Sequence, residues 1–296
     1  MSNNLTFLID ANSVAHTISV QEFNTPKKFA RKFFDKLRNY PNNLAASPNM
    51  ILVFDEKRGG TWRDQLYPRY QENRRTSSKT SVREQEAQTR REYIKYIREQ
   101  LSGSKNKFEC IEYLHTEADD IISLYCNCIQ EDGETVIIVT TDKDLFQLIN
   151  NTSKRKVWVL NLNNYKIVKS EEEGKEALQR KIMLGDASDN IPSVCRGVGT
   201  GYFQDFLVYL ENMKEQGIDP TDRDKAKKVC ESLNIKFINS FTNFSEEQYD
   251  MNSKLIDLKY VVDRDISNGG EIKKFIISKL PRAKFSPYLL YGVKLN

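Results

Sequence analysis

The chain is poor in histidine and has no paired cysteines. Two histidines, His16 and His115, stand in 296 residues. That argues against a histidine-rich metal site and leaves a Ser–His–Asp or Cys–His apparatus without support. The five cysteines (Cys110, Cys126, Cys128, Cys195, Cys230) are odd in number and form no CxxC pair. A reduced, cytoplasmic setting is expected, with neither a disulfide framework nor a zinc site. No apolar run approaches the length of a membrane span; that around residues 136–139 has the length of a strand. The N-terminal "MSNNLTFLID" lacks the basic and apolar regions of a signal peptide, so no membrane association is expected. The formal charge is only +4, so a polyanionic partner can be inferred only from how charge is distributed.

Carboxylates are what the chain has in unusual places. Three short apolar segments, "LTFLID" (5–10), "MILVFD" (50–55) and "TVIIVTTD" (135–142), read as buried parallel strands, and each ends in an aspartate: Asp10, Asp55 and Asp142. Helical patterns lie between them, including 28–38, so the fold class is α/β with a mainly parallel sheet flanked by helices. Ligands of such sheets bind beyond the carboxyl ends of the strands. In "HTEADDIISLYC" Glu117, Asp119 and Asp120 crowd the start of another helical pattern. Thr116 and Asp119 predict a capping box there, and the helix dipole favours acids in a first turn. Capping accounts for one or two of the three acids. "TTDKD" adds Asp144, and "GDASDNIP" adds Asp186 and Asp189. Each cluster alone reads as turn chemistry. Nine carboxylates in one crevice would take up protons unless a cation neutralised them, and Mg2+ prefers such oxygen ligands. A pair of ions about 4 Å apart is an arrangement suited to phosphoryl chemistry.

Residues 57–98 hold twelve Lys or Arg against five Asp or Glu, with Trp62, Tyr67 and Tyr70 interleaved. Such a segment suits a phosphate backbone with unstacked bases; a solvated insertion without specific partners is the bland alternative. Its centre, "NRRTSSKTS", has few core-forming residues and is expected to order only with substrate. Gly197 and Gly199 precede an apolar helical run, where backbone N–H groups can approach a phosphate, although a plain turn fits equally well.

Taken in order, "LID", "VFD", "TEADD", "TTDKD" and "GDASDNIP" resemble the structure-specific 5′-nucleases, the family of flap endonucleases and of the 5′-nuclease domain of bacterial DNA polymerase I. "TWRDQLYPRYQENRR" most resembles the T-even phage branch. The resemblance runs from the first strand to about residue 210. It implies a PIN-like core (1–184) with a helical arch at about 57–98, and a helix-hairpin-helix-like, mostly helical DNA-binding region (185–296). It further implies that Asp10, Asp55, Glu117 and Asp119 serve one Mg2+, with Asp119 shared between two ions, Mn2+ being a possible substitute. Asp142, Asp144 and Asp189 would serve the second, with Asp120 and Asp186 contributing through water. Arg74 falls on the arch arginine that holds the scissile phosphate; Arg63, Tyr70, Arg75, Gly197 and Gly199 are the other nucleic-acid contacts expected. Asp119, Asp144 and Arg74 would carry the chemistry. Gln71 stands where the family has a lysine, and Thr200 and Gly201 stand where the hairpin has a basic residue.

The expected activity is 5′→3′ exonuclease and flap endonuclease on DNA and on RNA primers in RNA/DNA hybrids, by a monomer. A single-stranded-DNA-binding protein and a sliding clamp are the partners that the family suggests. Two alternatives stay open: a haloacid-dehalogenase-type phosphatase with Asp142 as nucleophile, and a non-catalytic nucleic-acid-binding protein of the same fold.

Overall fold

The computed structural model describes residues 5–40, 48–73, 81–102, 110–195, 201, 203–218, 222–233 and 244–284. They divide into two compact units, one of Met1–Trp62, Ser78–Gly174 and Val261–Asn296, the other of Arg63–Ser77 and Lys175–Tyr260. Packing holds each unit together. The helix at 271–283 returns to the first unit, where Phe275 meets Tyr113 ring to ring at 5.1 Å. In the second, Tyr70 is buried with Ile182, Ile191 and Leu255.

The first unit is built on a sheet of β1 (Leu5–Asp10), β2 (Asn49–Val53), β3 (Thr135–Thr140), β4 (Asn150–Asn151), β5 (Lys156–Asn161) and β6 (Lys166–Val168). The strand order is β2-β1-β3-β5-β4, with β6 paired to β5. β1, β2, β3 and β5 run parallel; β4 and β6 are antiparallel to β5. Each of the three strands expected from sequence is present, because unbroken runs of β-branched and aliphatic residues suit strands buried on both faces. On one face Phe7, Ile9, Leu52, Ile137 and Val139 form a core with Phe29, Phe33 and Phe34 of α2 (Pro26–Asn39). Helix α1 (Ala11–His16) follows β1 directly, and α3 is Trp62–Leu66. Tyr93, Ile97 and Leu101 of α4 (Ser81–Ser102) complete that core. The opposite face is covered by α5 (Ala118–Leu124), which continues as one π turn, Tyr125–Ile129. The chain leaves β1 towards β2 on one side and returns as β3 on the other. That reversal opens a crevice at the carboxyl ends of β1 and β3, where Asp10 pairs in register with Val53 and Ile9 with Val139.

The second unit contains most of α6 (Glu171–Leu184), α7 (Phe203–Glu215), α8 (Arg223–Ser232) and α9 (Glu246–Ile256); α10 (Leu258–Ser267) and α11 (Glu271–Ala283) follow. Phe203, Phe206, Tyr209 and Met213 pack with Met183, Val229 and Cys230. Buried Asn252 donates to the carbonyls of Ile182 (2.8 Å) and Pro192 (2.9 Å), fastening α9 to the turn after α6. That turn needs Gly185, whose φ is +72° and whose missing Cβ would stand 2.3 Å from the Ile191 carbonyl oxygen. A Gly185→Ala variant is expected to lose at least about 2 kcal/mol of unfolding free energy in chemical denaturation, since both strain and overlap oppose it.

Candidate metal centre

Asp10 closes β1 and caps α1. Its carboxylate accepts from Ser13 N (3.0 Å) and from the hydroxyls of Ser13 (2.5 Å) and Thr140 (3.0 Å). Three donors orient it, yet its pKa is pushed up from 3.8 to about 6, by burial first and then by the charge of Asp55. The group is short of a positive neighbour. Thr140 also receives the N–H of Asp142 (2.9 Å), and Asp142 in turn receives the N–H of Asp144 (2.9 Å). Asp10, Asp142 and Asp144 are thus linked along the carboxyl edge of the sheet through the side chain at the end of β3.

The next group is set by α5. Thr116 is not its cap, contrary to the sequence expectation. Its backbone bridges to Glu56 and its hydroxyl donates to the Tyr113 carbonyl at 2.6 Å. The capping box forms one residue later, with Glu117 at the N-cap and Asp120 accepting the Glu117 N–H at 3.0 Å. Asp120 is fully buried and also accepts from the Trp62 indole N–H at 3.0 Å. Its carboxylate is therefore occupied in holding the helix start to α3, inward of the other acids. Asp119, half-buried, accepts the N–H of Asp120 at 2.9 Å. Asp55 accepts the N–H of Ala118 at 2.8 Å, which joins the end of β2 to the first turn of α5.

At the centre of these acids lies a cation that the sequence reading did not single out. The Lys57 ammonium is 3.4 Å from Asp55 Oδ2 and in close contact with Glu117 Oε1. Burial disfavours its charge, but Glu117, Asp55 and Asp119 outweigh that and hold it above the ordinary lysine range. The available signal was its place in "VFDEK", two residues past a strand-end aspartate. The intervening Glu56 is buried too, but it is engaged by Arg58 (2.8 Å) and Arg98 (3.1 Å).

The donor chemistry of this edge, carboxylates without thiol or imidazole, fits a hard divalent cation. The positions stop short of one: among the described residues no three acidic, cysteine or histidine side chains are grouped closely enough to hold a metal ion. Lys57 stands where Asp55 and Glu117 would share it.

Asp186 and Asp189 belong to the second unit. Burial would raise the Asp186 pKa, but Lys181 (2.7 Å) and Ser188 outweigh that and hold it low. Asp189 accepts from Gln71 Nε2 at 3.0 Å, and its carbonyl accepts the Gln71 N–H at 2.8 Å. Gln71 itself holds φ at 53°. Arg63, expected to face nucleic acid, is 2% exposed and donates from Nε to the Leu255 carbonyl at 2.9 Å. Tyr70, expected to stack on bases, is 4% exposed within an apolar cluster. Both side chains serve the interior of the second unit in this structure, because an arginine or tyrosine can satisfy its polar tip there while burying its body. Arg74, Arg75, Gly197 and Gly199 lie outside the described residues. Among the described residues no helix is long and apolar enough to cross a membrane.

Comparison with known proteins agrees with this architecture. The 5′-3′ exonuclease of Buchnera aphidicola (subsp. Schizaphis graminum) is 28% identical over 186 residues, spanning 60% of this chain and 58% of that protein. The DNA polymerase I of Caldicellulosiruptor bescii is 28% identical over 224 residues, covering 72% of this chain and 25% of the polymerase. The chain thus spans little more than half of the first relative and a quarter of the second. The T5 D15 protein, co-crystallised with metal ions, superposes with a TM-score of 0.68 at 20% identity, over 95% of this chain and 100% of that one. At that identity the likeness shows the fold, a PIN-like α/β architecture. Residues 6–182 match the family model of the 5′-3′ exonuclease N-terminal, resolvase-like domain, and by that match the chain belongs to the 5′-3′ exonuclease family.

Proposed function

We propose that this protein is a divalent-metal-dependent 5′-nuclease that hydrolyses phosphodiesters near single-stranded 5′ ends and flaps, on DNA and on RNA primers paired to DNA, during DNA replication. The observation that carries the reading is Lys57 held by Asp55 and Glu117 at the end of a family sheet, with the charge of Asp119 acting on it and that of Asp55 acting on Asp10. Asp10, Asp55, Glu117 and Asp119 would hold one Mg2+, with Asp142 and Asp144 holding a second and Mn2+ as a substitute. A role for Asp186 and Asp189 in the second set rests on their order in the sequence alone. When bound, such ions supply a water of lowered pKa and positive charge for the phosphate and leaving oxygen.

The chain's own residues do the positioning. Ser13 and Thr140 fix the Asp10 carboxylate, Asp55 ties β2 to α5, and Trp62 with Asp120 sets where α5 begins. Arg74 would place positive charge against the scissile phosphate, where negative charge grows in the transition state. The phosphatase alternative makes Asp142 a nucleophile and leaves the five earlier acids, Asp10 to Asp120, without a task, whereas the hydrolytic nuclease gives Asp10, Asp55, Glu117 and Asp119 one. We further assign the protein to act as a monomer in the cytoplasm, with a single-stranded-DNA-binding protein and a sliding clamp as partners.

The test uses a duplex with a 5′ flap and a matching RNA-primed duplex, each labelled at both ends. Release from the 5′ side with Mg2+, abolished by EDTA, is the expected result, and the two substrates report the preference. Binding without cleavage in Mg2+ and in Mn2+ would overturn the catalytic reading.

A further inference from the structure

We infer that Lys57 is a built-in counter-ion of the carboxylate cluster, which a divalent cation must displace from Glu117 and Asp55 in order to bind. The inference rests on the proposed reading of those two acids as metal ligands, and goes beyond it by assigning a resident competitor. Three observations converge. The ammonium of Lys57 contacts one oxygen from each acid, 3.4 Å from Asp55 Oδ2 and closer to Glu117 Oε1. The other oxygen of Asp55 is engaged by the Ala118 N–H at 2.8 Å, so the oxygen turned to Lys57 is the one left for a cation. Glu117 is only 6% exposed, and a buried carboxylate without a cation is costly.

The backbone around Lys57 is anchored, while its side chain borders on water. Glu56 N donates to the Thr116 carbonyl at 3.0 Å and Gly60 N to the Lys57 carbonyl at 3.0 Å, so the loop is anchored on both sides. The Lys57 side chain keeps 35% of its surface exposed, which gives its four-carbon stem a way out to water. An ammonium is singly charged and binds as a point, whereas a divalent ion carries twice the charge and gathers several oxygens at once. The lysine therefore holds the acids together in the metal-free protein and yields to the ion. A fixed structural ion pair would show no such exchange.

The experiment is calorimetric titration of metal-free full-length protein with Mn2+, in wild type, Lys57→Met, Lys57→Arg and Asp55→Asn, with melting curves in EDTA and in saturating Mn2+. Lys57→Met is expected to bind Mn2+ about tenfold or more tightly than wild type, while Lys57→Arg stays near the wild-type value. In EDTA Lys57→Met should melt below wild type, and Mn2+ should close the gap. Equal or weaker Mn2+ binding by Lys57→Met would overturn the inference. So would failure of Lys57→Met to fold even with Mn2+, because the lysine would then be needed whether or not metal is present. Asp55→Asn separates the two levels: if it binds Mn2+ as wild type does, the ligand assignment fails, independently of what Lys57 does.

Discussion

An Asp55→Asn variant is expected to fold normally and to cleave at about one-thousandth of the wild-type rate or less, a loss of roughly 4 kcal/mol of transition-state stabilisation. The argument for normal folding is local. Asp55 Oδ1 accepts the Ala118 N–H at 2.8 Å, and an asparagine keeps a carbonyl oxygen for that bond. The side chain is 29% exposed, so the new amide N–H groups can reach water. Charge is what the substitution removes. Asp55 is the carboxylate whose field raises the Asp10 pKa, and one of the acids facing Lys57. Its loss therefore relieves repulsion in the metal-free protein while weakening the site for a divalent ion. Single-turnover cleavage of a flapped duplex, beside the melting midpoint in EDTA, checks both halves. A variant that melts as wild type and cleaves as wild type would remove Asp55 from the metal centre. A variant that melts far lower would show that the carboxylate is structural.

The site's acids were legible from sequence because strand ends are. Asp10, Asp55 and Asp142 each follow an apolar run too short for a helix, and a parallel sheet brings such ends to one edge. Less legible was which acid does which job. The sequence offers Thr116 as the cap of the helix after it; Glu117 takes that place because the Thr116 backbone is taken by Glu56 across an isolated bridge. With the helix starting one residue later, Asp120 instead of Asp119 turns inward to Trp62. Composition misleads in a different way around residues 57–98. The many cations suggested one arm suited to a phosphate backbone; in the structure Arg63 and Tyr70 are buried in the second unit and Lys57 faces the acids. A net count of charge over a window says nothing of which cations have carboxylate or carbonyl partners far along the chain. The return of α11 to the first unit was hidden for the same reason, since Lys175–Tyr260 lies between it and the rest of that unit.

In metal-free protein, stability is expected to fall as pH rises from about 4 to about 6, and an Asp10→Asn variant should lack that fall. The folded pKa of Asp10, about 6, lies above the ordinary 3.8. Between those values the folded state binds a proton that the unfolded state has released. A raised carboxyl pKa therefore contributes stability below the unfolded value and loses it as pH climbs through the folded one. At about 1.4 kcal/mol for each tenfold difference in proton affinity, the difference between those values sets an upper bound of roughly 3 kcal/mol. Solvent screening reduces this little, because Asp10 is only 8% exposed. Glu56 and Asp186 oppose the trend: their cationic partners overcome burial and depress their pKa values, so their stabilisation is present at neutral pH and fades on acidification. The wild-type curve alone would mix these signs, whereas the difference between wild type and Asp10→Asn isolates the buried acid. Urea unfolding in EDTA between pH 4 and pH 8 should show the variant gaining on wild type as pH rises, until above about pH 6 it is the more stable by about 1–2 kcal/mol. The gain falls short of the upper bound because an amide satisfies the hydroxyls of Ser13 and Thr140 less well than a carboxylate. Mg2+ should abolish the wild-type fall by stabilising the ionised carboxyl, and do little for Asp10→Asn. A variant less stable than wild type at every pH would mean that those hydrogen bonds, not the unneutralised charge, decide the energetics at the end of β1.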